Sequence, residues 1–109
     1  MNYLSDKEAR EMICNIGHRM SDKGYVSAND GNMSIRVGDN TAIITPTGIN
    51  KGELTPEMLL KIDFEGNILE NPSNMRPTSE TRMHMNCYKT NDQLVSTCHT
   101  HSQNAMVWA

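Results

Sequence analysis

The sequence predicts an α/β domain built on a mainly antiparallel sheet, on three observations. The opening segment repeats its apolar residues at helical spacing. The period then drops to two across "NDGNMSIRV" and "TAIIT", on either side of the tight turn "GDN". Further on, short apolar runs alternate with Gly- and Pro-containing turns and one more helical stretch. A length of 109 residues suits one modest core, and no repeat or linker divides it, so 1–109 is read as one unit.

Each element has local reasons. Ser5 and Glu8 stand in capping-box spacing. Ala9, Met12, Ile13, Ile16 and Met20 follow at helical intervals, with Gly24 as the stop. His18 lies on this helix off the apolar stripe and reads as a surface or helix-end histidine. Met33, Ile35 and Val37 alternate as in a strand, and "TAIIT" returns beside them as a hairpin. "TPTGINKG" breaks the pattern with Pro46, Gly48 and Gly52, and Thr55-Pro56-Glu57 predicts a helix start. "KIDFEGNILE" predicts two short strands around Glu65-Gly66-Asn67. After a loop with Pro72 and Pro77, a helix is expected from about 79 to 88. "QLVSTCHTH" predicts a strand and "SQNAMVWA" the start of another helix. That last segment is apolar, with no cap or charged last turn, which predicts the front part of a longer domain.

Composition excludes several functions. A net charge of -3 gives no electrostatic footing for nucleic acid or an anionic membrane. No apolar run approaches the roughly 20 residues of a membrane span, and "MNYLSDKEAR" lacks a signal-peptide core. Cys14, Cys87 and Cys98 are odd in number and lack CxxC spacing, as reduced thiols of a cytoplasmic protein would be. The sequon at Asn32 to Ser34 carries no weight without secretion.

"CHTHS" raises the chemistry. Residues two apart on a strand face one side, so His99 and His101 can lean toward one metal ion. They can equally be two half-buried strand histidines bonded to backbone. Glu80, at the first turn of a helix in "PTSETRMH", either caps that helix or approaches the metal. His84, one turn on, is either a third ligand or a structural hydrogen-bonding group. Gly31-Asn32, Thr47-Gly48 and Thr78-Ser79 place backbone N–H groups and hydroxyls on turns beside strand or helix ends. Such positions suit a phosphate and also serve as ordinary turns. No GxxxxGK[ST] or GxGxxG is present. Cys98 makes a poor nucleophile partner for His99, because adjacent strand residues point to opposite faces.

Four blocks in order, "GNMSIR", "ITPTG", "PTSETRMH" with "CY" after it, and "HTHS", resemble the class II aldolase/adducin family. The match covers essentially the whole chain but only about the first half of a family domain near 200 residues. The resemblance implies a three-layer α/β/α sandwich, truncated at the C-terminus. It implies one zinc ion per subunit, with His99 and His101 as two ligands, Glu80 at the metal, and a third histidine beyond Ala109. It makes Glu80 the catalytic carboxylate and Gly31, Asn32, Thr47, Gly48, Thr78 and Ser79 the sugar-phosphate cradle. The implied activity is zinc-dependent cleavage of a ketose 1-phosphate to dihydroxyacetone phosphate and an aldehyde through an enediolate. A second acid would come from beyond this chain, in a cytoplasmic homotetramer.

Epimerases of the family carry Asp where Glu80 stands, so Glu favours the aldolase or dehydratase branch. "HTHS" followed by "WA" is similar to the epimerases. The alternatives are therefore a 4-epimerase or dehydratase on the same scaffold, a non-catalytic adducin-like interaction module, or an inactive fragment. On this reading the 109 residues alone are inactive, two histidines leaving zinc short of its usual ligands.

Overall fold

The computed structural model describes residues 2–22, 31–99 and 106–108, of which 98–99 and 106–108 by backbone alone. Helix α1 (Asp6–Asp22) starts with the expected box: the Ser5 N–H donates to Glu8 Oε1 and the Glu8 N–H to Ser5 Oγ, both at 3.1 Å. Ala9, Ile13 and Cys14 are buried and Ile16 and Met20 pack against them, while Met12 is 44% exposed and drops out of the stripe. Gly24 lies outside the described residues.

The strands are β1 (Asn32–Arg36), β2 (Thr41–Ile44), β3 (Leu60–Asp63), β4 (Ile68–Glu70), β5 (Ser96–His99) and β6 (Met106–Trp108). They form a sheet in the order β4-β3-β2-β1-β5-β6, antiparallel at every described pairing. The β1–β2 hairpin and the β3–β4 pair stand where their alternation and turns place them. Val37 leaves the ladder of β1 but still bonds through its N–H to Thr41 O. Helix α2 (Thr81–Thr90) fills the expected second helical stretch.

Two expectations fail. Pro56 begins only a single 3-10 turn, Pro56–Met58, and Thr55 makes no side-chain cap. The buried Arg10 guanidinium binds the carbonyls of Pro56 and Leu59, and fully buried Leu59 and Leu60 pull the chain at once into β3. Residues 106–108 are a strand rather than the start of a helix. Their backbone pairs with β5 in the register Ser96↔Trp108, Thr97↔Val107, Cys98↔Met106. Ladder groups on the open side of β5, together with the β preference of Val107 and Trp108, outweigh a short apolar run with no cap.

Strand alternation divides the core. Met33, Ile35 and Ile43 join Ala9, Ile13 and Cys14 of α1 in one cluster. Ala42, Ile44, Leu60 and Ile62 join Met85 and Tyr88 of α2 in another, where Phe64 stacks on Tyr88 at 5.6 Å. The two helices thus pack against opposite faces of the sheet through separate apolar clusters. No helix among the described residues is long and apolar enough to cross a membrane.

Candidate functional site

Three chain segments converge at one end of β1 and β2. Gly31 turns into β1 with φ 86°, a left-handed backbone that favours glycine. Buried Thr45 then links the second segment to the first: its Oγ1 accepts from the Met33 N–H at 3.1 Å and its own N–H donates to Met33 O at 3.0 Å. The third segment joins through an isolated bridge between Pro46 and Pro77. Neither proline carries an N–H, so the bonds come from the flanks, Thr47 N–H to Arg76 O at 2.8 Å and Thr78 N–H to Thr45 O at 3.3 Å. Gly31-Asn32, Thr47-Gly48 and Thr78-Ser79 are brought together in this way. Thr47, Gly48 and Ser79 are exposed, and Asn32 and Thr78 are buried.

Glu80 occupies the N-cap position of α2, but its carboxylate makes no cap hydrogen bond. Thr78 supplies the local closure instead. Its Oγ1 accepts from the Glu80 N–H at 3.3 Å, and its carbonyl accepts from the Thr81 hydroxyl at 2.6 Å. The half-buried Glu80 borders a surface hollow with Ser79, Arg82 and Met83.

The histidines separate. His84 is fully buried with both ring nitrogens engaged, Nδ1 by Ser34 Oγ at 2.7 Å and Nε2 by Asn32 Oδ1. It is a structural hydrogen-bonding group and has no lone pair left for a metal. His18 is half-buried and its Nε2 donates to Leu54 O at 2.9 Å, tying α1 to the segment before Pro56. His99 ends β5 at the register position opposite Asn32, the first residue of β1. His101 lies outside the described residues. Among the described residues no group of three or more His, Cys, Asp or Glu gathers as a metal cluster.

Sequence reasoning left the Ser34–His84–Tyr88 network unread. Ser34 Oγ also lies 2.7 Å from the Tyr88 hydroxyl, and burial foremost pushes that phenol up to about 12 against the lowering effect of Ser34. A signal was available: Asn32 and Ser34 share a strand face, and His84 and Tyr88 share a helix face.

The family model described as the class II aldolase and adducin N-terminal domain matches residues 11–109. A 3-oxo-tetronate 4-phosphate decarboxylase of Haemophilus influenzae is 33% identical over 99 residues, covering 91% of this chain and 46% of that protein. An L-fuculose phosphate aldolase of Methanococcus maripaludis is 41% identical over 90 residues, covering 83% and 46%. The crystal structure of YgbL from Klebsiella pneumoniae, a putative aldolase/epimerase/decarboxylase, superposes with a TM-score of 0.82 at 26% identity, covering 90% of this chain and 46% of that one. The chain therefore spans about half the length of the curated relatives it matches. With a family model over nearly all its residues and the fold of a solved relative, this chain belongs to the class II aldolase and adducin family.

Proposed function

We propose that the protein carrying this chain is a zinc-dependent aldolase that cleaves a ketose 1-phosphate, fuculose-phosphate-like, to dihydroxyacetone phosphate and an aldehyde. The observation that carries this reading is Glu80: a carboxylate at the foot of α2, unused as a cap, beside the junction of three turn segments. In the complete domain the sheet would be the middle of a three-layer α/β/α sandwich, assembled as a cytoplasmic homotetramer.

The donor set fits a metal. Glu80 is uncommitted as a cap, whereas His84, the nearby competing imidazole, is committed at both nitrogens. His99 and His101 with Glu80 would hold zinc, and a third histidine from the rest of the protein would complete the usual set. Zinc, when bound, supplies Lewis-acid polarisation of the substrate's carbonyl and hydroxyl oxygens. With the Thr47 and Thr78 N–H groups already bonded to Arg76 O and Thr45 O, the remaining N–H groups, hydroxyls and amide of Gly31, Asn32, Thr47, Gly48, Thr78 and Ser79 would hold the phosphate and fix the sugar's position. As the carbon–carbon bond breaks, the hydroxyl beside it would pass its proton to the second acid–base group, from beyond this chain, and become the aldehyde. Glu80 delivers a proton to the enediolate carbon left behind, and takes it back in the synthetic direction.

A second reading keeps this site and changes the bond that breaks. The similarity to a decarboxylase favours it, because loss of carbon dioxide, dehydration and 4-epimerisation all use the same polarised carbonyl. An adducin-like interaction module would need none of these groups.

The test is made in the full-length protein. Glu80→Gln keeps shape but carries no proton, so dihydroxyacetone phosphate release should fall at least about a hundredfold, with stability changed by no more than about 1 kcal/mol. His99→Ala and His101→Ala should each lose stoichiometric zinc. Near-normal turnover in Glu80→Gln, or unchanged zinc in both histidine variants, would overturn the reading. Release of a different product by the wild type would select the second one.

A further inference from the structure

Three buried polar groups, Ser34, His84 and Tyr88, have no task in the reaction above, yet they lead straight to Asn32. Burying so many polar atoms is costly unless each is satisfied, and with a neutral imidazole facing the amide oxygen one order of donors satisfies these groups. An amide oxygen only accepts, so Asn32 Oδ1 requires the proton of His84 on Nε2. Neutral imidazole then carries a lone pair on Nδ1, so the Ser34 hydroxyl must donate to it. With its proton spent there, Ser34 Oγ accepts from the Tyr88 hydroxyl. Every hydrogen points one way, from Tyr88 through Ser34 and His84 to Asn32.

The consequence falls on the far side of the Asn32 amide. A planar carboxamide whose oxygen is held toward α2 directs its nitrogen, with two N–H donors, along the other branch. Asn32 follows Gly31 at the entrance to β1, where the three turn segments meet. Were the imidazole to carry its proton on Nδ1, Nε2 would accept, the amide would turn over, and its oxygen would face the junction. An oxygen there repels an anion and a nitrogen attracts one. We propose that His84, set by Ser34 and Tyr88, is a positioning residue that fixes the Asn32 amide with its nitrogen toward the anion cradle, making the site selective for a phosphate group. This rests on the phosphate reading of the preceding subsection.

Two measurements on the full-length protein decide it. In the first, nitrogen-15 spectra of histidine-labelled wild type, with His84→Gln for assignment, report the tautomer directly. Nε2 protonated and Nδ1 bare is the expected signature; an Nδ1–H tautomer or an imidazolium at neutral pH would overturn the proposal. In the second, inorganic phosphate is titrated into wild type, His84→Phe, His84→Gln and Asn32→Asp. Phe fills the ring's space without a donor, so phosphate affinity should fall about tenfold, and KM for a ketose 1-phosphate should rise about as much. The kcat should stay within about threefold, since the phosphate lies away from the breaking bond. Gln, whose amide N–H can reach Asn32 Oδ1, should restore most of the loss. Asn32→Asp is the control for the site itself. If it leaves phosphate binding unchanged, the phosphate reading falls and this inference with it. If it abolishes binding while folded His84→Phe binds normally, the positioning role alone falls. Should His84→Phe not fold, the wild-type tautomer decides.

Discussion

Arg36 is only 8% exposed, yet it sits in a strand whose alternation marks it simply as a polar position. Its guanidinium donates to the carbonyls of Gly38, Asp39 and Asp92 and lies over the rings of Tyr3 at 5.4 Å and Phe64 at 5.3 Å. A buried cation survives because its planar fork of donors finds three carbonyl acceptors and two aromatic faces. Arg10 does the same with Pro56 O, Leu59 O and Glu70, and its bonds to buried carbonyls outweigh the ion pair, since the Glu70 side chain is 51% exposed. Neither role was legible, because most of the acceptors are backbone carbonyls, which no side-chain pattern announces. His84 shows the same limit: its residue type kept two uses open, and only Ser34, fifty positions away, closes one. The two thiols with described side chains differ in their surroundings. Burial pushes Cys14 up to about 11, with Glu57 adding to the rise, and Cys87 is only half-buried. Since the thiolate is the reactive form, iodoacetamide at pH 8 should label Cys87 much faster than Cys14 in the native protein. Peptide mapping by mass spectrometry checks this, and equal rates would show that Cys14 is not shielded.

Among elements, what was legible was local. The capping box of α1 needs only Ser5 and Glu8, and the β1–β2 hairpin needs only its own alternation and turn. Glu8's carboxyl is held below its usual value of 4.5 by the Ser5 N–H and hydroxyl. A group depressed in this way stabilises the fold above its unfolded value, and that support is lost as pH falls through the folded one. The strand at 106–108 was misread because three apolar residues have no period, and the partner β5 decides their state. Gly17 was equally silent. Mid-helix glycine costs helix stability, but a Cβ there would meet Lys51 O at 2.9 Å, Leu54 Cδ1 at 3.2 Å and Met33 Cε at 3.3 Å. Gly17→Ala gains up to about 1 kcal/mol in helix propensity and loses about 1–3 kcal/mol to overpacking against backbone. We expect net destabilisation by about 1 kcal/mol in urea unfolding; a more stable variant would mean that α1 can move off the 3-10 turn Lys51–Glu53 beneath it.

At the scale of the molecule, the sequence blocks singled out three candidate segments, and the sheet explains why they meet. Gly31-Asn32, Thr47-Gly48 and Thr78-Ser79 are far apart in the chain, and no periodicity predicts that Thr45 and the Pro46–Pro77 bridge tie them together. The position of β1 between β2 and β5 has a further consequence, in time rather than space. One side of β1 closes on β2 through a tight turn, and the other waits for a strand more than half the chain away. Loop closure makes the first pairing fast and the second slow, so β5 joins a hairpin that is already formed. Ile43→Val, in that hairpin, should therefore slow refolding, whereas Thr97→Ser, in β5, should mainly speed unfolding; stopped-flow chevrons would separate the two arms. The strand that ends in His99 would dock on β1 late and leave it early, so anything that grips it acts as a brake on unfolding and not as a guide to folding.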